Sequence, residues 1–416
     1  MGSMPQLTGE VTYLALIFGL LVVPRALQRF LIPAPLTSFG LGMVAASFVP
    51  LFAHDATLEL LATLGISSLF LVAGLEVDLQ AVRRGLWVVL GHLLVRSCMI
   101  ALMAWLSARY LAVSWQAATL IALAVLTPST GFILDTLGRL GLNADERFWV
   151  MVKAIGGEVL ALLVLFGVLQ SSTSERLLWA SGELLLMIVL LPLIFLVLAR
   201  WVMPYAPESG FSMLVMVGLI AAYLTKQLGV YYLVGAFLAG FTARLLRERI
   251  PLLAPAENLR AVRLFASFFI PFYFFHGGMS VPAGALVWQS LWLGALLAGV
   301  ILPLRIAVVW LQRRFISHED ARTALKVSTA LVPTLIFTLV LATILHEQFS
   351  IPDTWYGALL VYAAISTLLP ALLLSKPFEL DVAAGGSPEA TPAEAGTVEL
   401  PVPAGAAVEW GDEKAS

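Results

Sequence analysis

Charge is what this sequence has least of. Asp, Glu, Lys and Arg make up 12% of its 416 residues against 60% hydrophobic residues, and the mean hydropathy is +0.94. A chain so poor in charge cannot present a solvated surface along its length, which excludes a soluble globular protein and indicates a polytopic membrane protein. The formal net charge of -2 offers no basic field for nucleic acid. Cysteine is nearly absent: Cys98 stands alone inside an apolar run, so neither an intrachain disulfide framework nor a multi-cysteine metal site is expected. Residues 1–10 contain a single charge, Glu10, and no basic region, so no cleavable signal peptide is expected. The G-x-G-x-x-G fingerprint is missing, as is any nucleophile–base pair or metal-ligand cluster. The expectation is therefore a non-enzyme without a cofactor.

What the chain does have is apolar spans. Cutting where charges, prolines and glycines cluster gives them near 9–24, 36–53, 57–75, 85–108, 114–136, 147–169, 177–199, 211–226, 229–245, 264–281, 287–310, 323–346 and 354–375. Each is near the length that crosses a hydrocarbon core at about 1.5 Å per residue. Thirteen spans put the termini on opposite sides. With the N-terminus outside, the inner segments collect Arg25, Arg29, Arg83, Arg84, Arg139, Arg147, Arg200, Arg244, Arg247, Arg249, Arg260, Arg263, Arg313, Arg314, Arg322, Lys326 and Lys376, and the outer ones keep only Arg109, Arg176 and Lys226. The positive-inside rule then fixes an N-out, C-in topology. Residues 1–375 read as one membrane domain, and 376–416, rich in Gly, Pro, Ala and Glu, as a disordered acidic cytoplasmic tail.

The sixth span, R-F-W-V-M-V-K-A-I-G-G-E-V-L-A-L-L-V-L-F-G-V-L, carries one carboxylate, Glu158, near its middle. An ionisable group at that depth costs at least ~2.5 kcal/mol, so it faces a cavity, has a partner or titrates in function. The alternative is a protonated Glu hydrogen-bonded between helices. Gly156 and Gly157 beside it allow a backbone or an ion to approach. Lys153, five residues earlier, is about 140° away around the helix and is expected to snorkel to the cytoplasm.

The chain also repeats itself with inverted topology, over about 57–170 and 264–375. The third span ends S-S-L-F-L-V-A-G-L-E-V-D and the tenth I-P-F-Y-F-F-H-G-G-M-S-V; each is followed by a span with one arginine, Arg96 and Arg305. Next come spans holding a proline, L-T-P-S-T-G with Pro128 and A-L-V-P-T-L with Pro333. Proline removes a backbone donor and clashes a turn back, so both helices should be interrupted near mid-membrane. Paired interruptions at corresponding places in two repeats point to a transporter's substrate site. Thr127, Ser129, Thr130 and Thr334 add hydroxyls there, and Arg305 and Arg96 are candidates to offset the negative half-helix ends, the alternative for each being snorkelling to a helix end. A carboxylate that binds either a proton or a dehydrated cation, never both, couples the two flows. His276 beside Gly277 is a candidate pH sensor or a structural histidine. Asp135 is a candidate lining of a cytoplasmic funnel or a partner of Arg139, and Glu76 and Asp78 are expected to pair at the interface with Arg83 and Arg84.

The order G-L-E-V-D, T-P-S-T-G, G-G-E-V-L-A-L-L-V-L, Y-L-V-G-A-F-L-A-G and F-F-H-G-G-M-S, over roughly residues 10–375, resembles the monovalent cation:proton antiporters, in particular the branch of bacterial sodium/proton exchangers and potassium efflux systems. The resemblance implies an all-α, 13-helix fold with crossing broken helices, a homodimer in the cytoplasmic (inner) membrane, and elevator-like exchange of Na+ or K+ for H+. It puts Glu158 where the family keeps its ion-binding aspartate and Arg305 where it keeps a lysine or arginine. Three departures stand out: Gly157 precedes the acid where the family often has Asp, Asn or Gln; the acid is Glu; and Pro333-Thr334-Leu335-Ile336 replaces a P-R-G-E type sequence. One carboxylate in place of two implies electroneutral exchange. The competing readings are a sodium-coupled organic anion carrier and a non-transporting membrane domain that senses pH or ions.

Overall fold

A computed structural model of the chain describes residues 9–30, 32–48, 52, 55–77, 86–171, 174–227, 232–247, 255–315 and 319–374. The tail after Lys376, Asp78, Arg83 and Arg84 lie outside the described residues, as do the side chains of Asp135 and Arg139. The described residues form the α-helices α1 Gly9–Leu27, α2 Ala34–Phe48, α3 Ala56–Leu75, α4 Leu86–Leu111, α5 Trp115–Leu126, α6 Thr130–Thr136, α7 Ala144–Gln170, α8 Ser174–Trp201, α9 Gly210–Gln227, α10 Tyr232–Leu246, α11 Ala256–Met279, α12 Trp288–Phe315, α13 Ala321–Ala330, α14 Leu335–Phe349 and α15 Asp353–Leu374. Among the described residues nine spans are long and apolar enough to cross a membrane, or ten with α13 and α14 taken as one span bent by 42°.

Local signals set several boundaries. Asn143 and Glu146 close a capping box at the start of α7, and Ser114 accepts the Ala117 N–H at the start of α5. Asp55 caps α3 through the Leu58 N–H at 2.7 Å and also accepts the Tyr13 hydroxyl of α1. These two donors, the tyrosine first, hold the Asp55 carboxyl below its ordinary range.

The helices sort into two groups. In one, α3 packs along α11 and α10, α2 along α11, and α9 along α10; in the other, α4 lies on α5, α12 on α15 and α13, and α14 on α5 and α15. The first group is held by glycines at which backbones touch. A Cβ on Gly240 of α10 would collide with the Leu71 carbonyl of α3, and one on Gly74 of α3 with the Phe237 carbonyl of α10. The same reciprocal contact recurs between α2 and α11, where Gly42 meets the Phe275 carbonyl and Gly278 the Phe39 carbonyl. In lipid such close approach replaces the hydrophobic effect as the source of helix association.

The outer faces are apolar, as lipid requires: Leu178, Leu186, Val189 and Leu193 of α8 are all exposed. Exposed aromatic residues mark helix ends, with Trp87, Trp105 and Tyr110 on α4, Trp179 and Trp201 on α8, and Trp288 and Trp292 on α12. Gly240→Val is expected to cost on the order of 1–3 kcal/mol through overpacking against backbone that cannot yield. Gly19→Ala meets open space and is expected to leave stability unchanged. Thermal unfolding in detergent compares the two.

Candidate ion-binding site

Two interruptions carry the centre of the second group. α5 ends at Leu126 and α6 begins at Thr130, with Pro128 between them; α13 ends at Ala330 and α14 begins at Leu335, with Pro333 between them. Proline alone does not produce this. Pro24, Pro192, Pro271, Pro303 and Pro370 lie inside unbroken helices. What distinguishes the two breaks is that each supplies partners for backbone groups freed by the other. The Ser129 N–H donates to the Pro333 carbonyl at 2.8 Å, and Ser129 Oγ accepts the Ile336 N–H at 2.9 Å. The Thr338 hydroxyl donates back to the Ala124 carbonyl at 2.7 Å. Ser129 is thereby occupied as a latch between α6 and α14.

The carbonyl ends of the broken helices meet two buried arginines. Arg305 of α12 donates to the carbonyls of Val332 at 2.8 Å, Leu331 at 3.0 Å and Val125 at 3.2 Å, reaching both breaks with one guanidinium. Tyr362 of α15 completes the arrangement, receiving Arg305 Nη1 at 3.1 Å and donating to the Val125 carbonyl. Arg96 of α4 donates to the Leu126 carbonyl. Thr334 shares its hydroxyl with Ser366 at 3.0 Å, and its Oγ1 lies 2.8 Å from that of Thr338.

Glu158 is 3% exposed on α7, facing the hydroxyl and backbone N–H of Thr130 at the positive N-terminal end of α6. Its Oε2 and the hydroxyls of Thr127 and Thr130 are buried with no hydrogen-bond partner. Gly157 is where it must be small: a Cβ there would run into the Arg96 guanidinium and the Pro128 ring. The guanidinium thus takes the space a longer side chain at 157 would need. Among the described residues, the only other buried acid is Glu146, in the capping box of α7 and 3.8 Å from Lys326.

Not every candidate converges on this point. His276 is half-buried near the end of α11, in the other helix group, with its carbonyl accepting the Ser280 hydroxyl at 2.9 Å. Asp135 lies on α6. Lys153 corrects the expectation of a snorkelling side chain: it is fully buried, with Nζ 3.5 Å from Gln312 Oε1, and Gln312 in turn meets His92 at 3.1 Å. A polar partner on α12 makes burial affordable where helix-wheel geometry on α7 alone showed none. Glu76 pairs with Arg263 at 3.1 Å. The reading from sequence passed over Tyr362 and Ser366 by taking the last span as apolar, although Tyr362, Ser366 and Thr367 at i, i+4 and i+5 put polar groups on one face.

A cavity of about 920 Å³ runs from Glu76, Arg244, Arg247 and Arg263 up to Gly131 and Phe132 of α6 and Ile336 of α14. Its inner wall is one residue from Thr130. A much smaller void of about 20 Å³, room for about one water molecule, separates Arg96, His92 and Arg305.

Crossing helix breaks bound by buried arginines, beside a carboxylate sunk in an apolar helix, define a membrane transporter fold. Residues 13–378 match the family described as "Sodium/hydrogen exchanger, transmembrane", and the chain belongs to that family of transporters, which are not enzymes. It is 23% identical over 367 residues to the Na(+)/H(+) antiporter of Enterococcus hirae, covering 85% of this chain and 91% of the relative. Its fold is similar to that of the sodium proton antiporter MjNhaP1 from Methanocaldococcus jannaschii at pH 8, with a TM-score of 0.65 at 14% identity, covering 88% of this chain and 96% of that one.

Ser129→Ala leaves the Ile336 N–H buried without an acceptor and is expected to cost about 1–3 kcal/mol. Thr127→Val removes a hydroxyl that has no partner and is expected to leave stability unchanged or raised. Thermal unfolding separates the latch from the open hydroxyl.

Proposed function

We propose that the protein is a secondary transporter exchanging a monovalent cation, Na+ or K+, for H+, with Glu158 as the group that binds one or the other. The observation carrying this reading is the set of three buried oxygens left without partners, Glu158 Oε2, Thr127 Oγ1 and Thr130 Oγ1, beside a helix break. A dehydrated cation needs oxygen ligands, and a carboxylate with hydroxyls supplies them; a proton on Glu158 removes the charge that holds the cation. Family membership supports the exchange. With one such carboxylate the exchange is one for one and electroneutral. Pro128, Pro333, Thr334, Arg96 and Arg305 maintain the crossing; His276 and Asp135 are the candidates for pH sensing and for the cytoplasmic funnel.

The finer architecture belongs to the same proposal. Nine long spans, the bent pair, the short apolar helices α2 and α10, and α11 make thirteen spans, oriented N-out and C-in in the cytoplasmic membrane. Two features support inverted repeats: Arg96 and Arg305 each bond the carbonyl two residues before a break proline, Leu126 and Leu331, and the reciprocal glycine contacts recur in α3–α10 and α2–α11. The group containing α4–α7 and α12–α15 moves against the group containing α1–α3 and α9–α11 in an elevator-like step, within a homodimer, with residues 376–416 as a disordered cytoplasmic tail.

Proteoliposomes carrying a pH dye and pulsed with Na+, K+ or Li+ test the reading. Wild type is expected to show proton flux with at least one cation, and Glu158→Gln none. Because proton and cation compete for one carboxylate, the apparent cation affinity is expected to weaken by up to about tenfold per unit of acidification over the range in which Glu158 takes up a proton. Absence of flux from a folded wild type would return the organic anion and sensor readings to the front.

A further inference from the structure

The 920 Å³ cavity has a charge that cation exchange does not explain. Its rim brings together Arg25 of α1, Arg244 at the end of α10, Arg247 just beyond it and Arg263 of α11. Glu76 is the one acid lining it among the described residues, and it is paired with Arg263. Arg244 donates through Nε to the Val77 carbonyl at 3.3 Å. Arg25 and Arg247 form no ion pair with a described residue. Among the described residues the arginines remain in excess, even with Asp135 of α6 added to the acids. The positive-inside rule puts arginines on this face of the membrane, but it does not require three helices to aim them into one cleft, where their field opposes the entry of a cation.

Below this rim the cavity changes character. Leu20, Leu21, Leu69, Leu75, Phe274 and Ile336 form an apolar wall, drawn from both helix groups. Guanidinium forks match a phosphate oxygen pair, and a free phosphate ester would use only the rim. A cleft that is basic at its mouth and apolar along its length fits an amphiphile. We propose that this cavity binds an anionic phospholipid, its phosphate held by Arg25 and Arg247 and an acyl chain lying along the apolar wall. The lipid neutralises the mouth and occupies the space between α6 and α14 on one side and α1, α3 and α11 on the other. The membrane setting is all this needs; it does not depend on which ions are exchanged.

Native mass spectrometry of the full chain from detergent, offered phosphatidylglycerol or phosphatidylcholine, reads binding without transport, and thermal unfolding with each lipid or with glycerol 3-phosphate distinguishes lipid from free ester. Wild type is expected to retain phosphatidylglycerol over phosphatidylcholine and to gain thermal stability from it, and not from glycerol 3-phosphate. The double variant Arg25→Gln/Arg247→Gln is expected to lose about 30-fold in phosphatidylglycerol affinity, with phosphatidylcholine retention and lipid-free unfolding unchanged, and each single variant to fall between. Equal retention of the two lipids by wild type, or an undiminished preference in the double variant, would overturn the proposal. Stabilisation by glycerol 3-phosphate equal to that by the lipid would overturn the lipid assignment in favour of a free phosphate ester.

Discussion

The structure depends on satisfying backbone groups where there is no water to do it. Each break leaves the carbonyls of a helix end without intrahelical donors, in a medium where an unmet polar group costs several kcal/mol. Arg305 answers this at both breaks at once, reaching Leu331 and Val332 on one and Val125 on the other. An arginine is suited to the task because it remains charged and carries five donors in a fixed fork. The guanidinium therefore fixes the relative position of two helix ends that belong to distant parts of the chain. Tyr362, Thr338 and Ser129 extend the same arrangement, and nothing comparable is needed at the five prolines that stay within continuous helices.

Around that frame the charges are divided. Arg305 and Arg96 face carbonyl ends, while Glu158 faces the amide end of α6, so each charge meets the half-helix dipole of opposite sign. Gly157 lets Arg96 and Pro128 close in beside the acid. A second carboxylate at 157 would compete for the volume the guanidinium now fills. The absence of a side chain at 157 and the burial of Arg96 are thus one packing event.

Much of the fold was legible because membrane proteins obey few rules strictly. Charge depletion and span length follow from the cost of putting polar groups into hydrocarbon, and these are properties of composition and order. The interruptions at Pro128 and Pro333 were legible too, since the flanking Thr and Ser residues mark polar backbone inside apolar runs. Lys153 was not: its burial depends on Gln312, which lies 159 residues away in sequence. Glu76 also meets an arginine that its neighbours in the chain do not announce, Arg263 of α11. Ser129 stands in the sequence as one more hydroxyl at the break, whereas its Oγ accepts the Ile336 N–H and its backbone N–H donates to the Pro333 carbonyl from the other break.

The sequence by itself determined that the chain lives in a membrane, that two of its helices are interrupted, that it belongs with the sodium/hydrogen exchangers, and that one carboxylate is sunk in an otherwise apolar span. These are encoded locally, in hydropathy, proline placement and ordered motifs. Only the tertiary structure decided which donors meet which carbonyls across the two breaks, which buried hydroxyls at the first break are left without partners, and that four arginines share one cleft. The reason is physical: hydrogen-bond satisfaction in a low-dielectric interior is a property of pairs, and here the partners lie from 26 residues apart to more than 200.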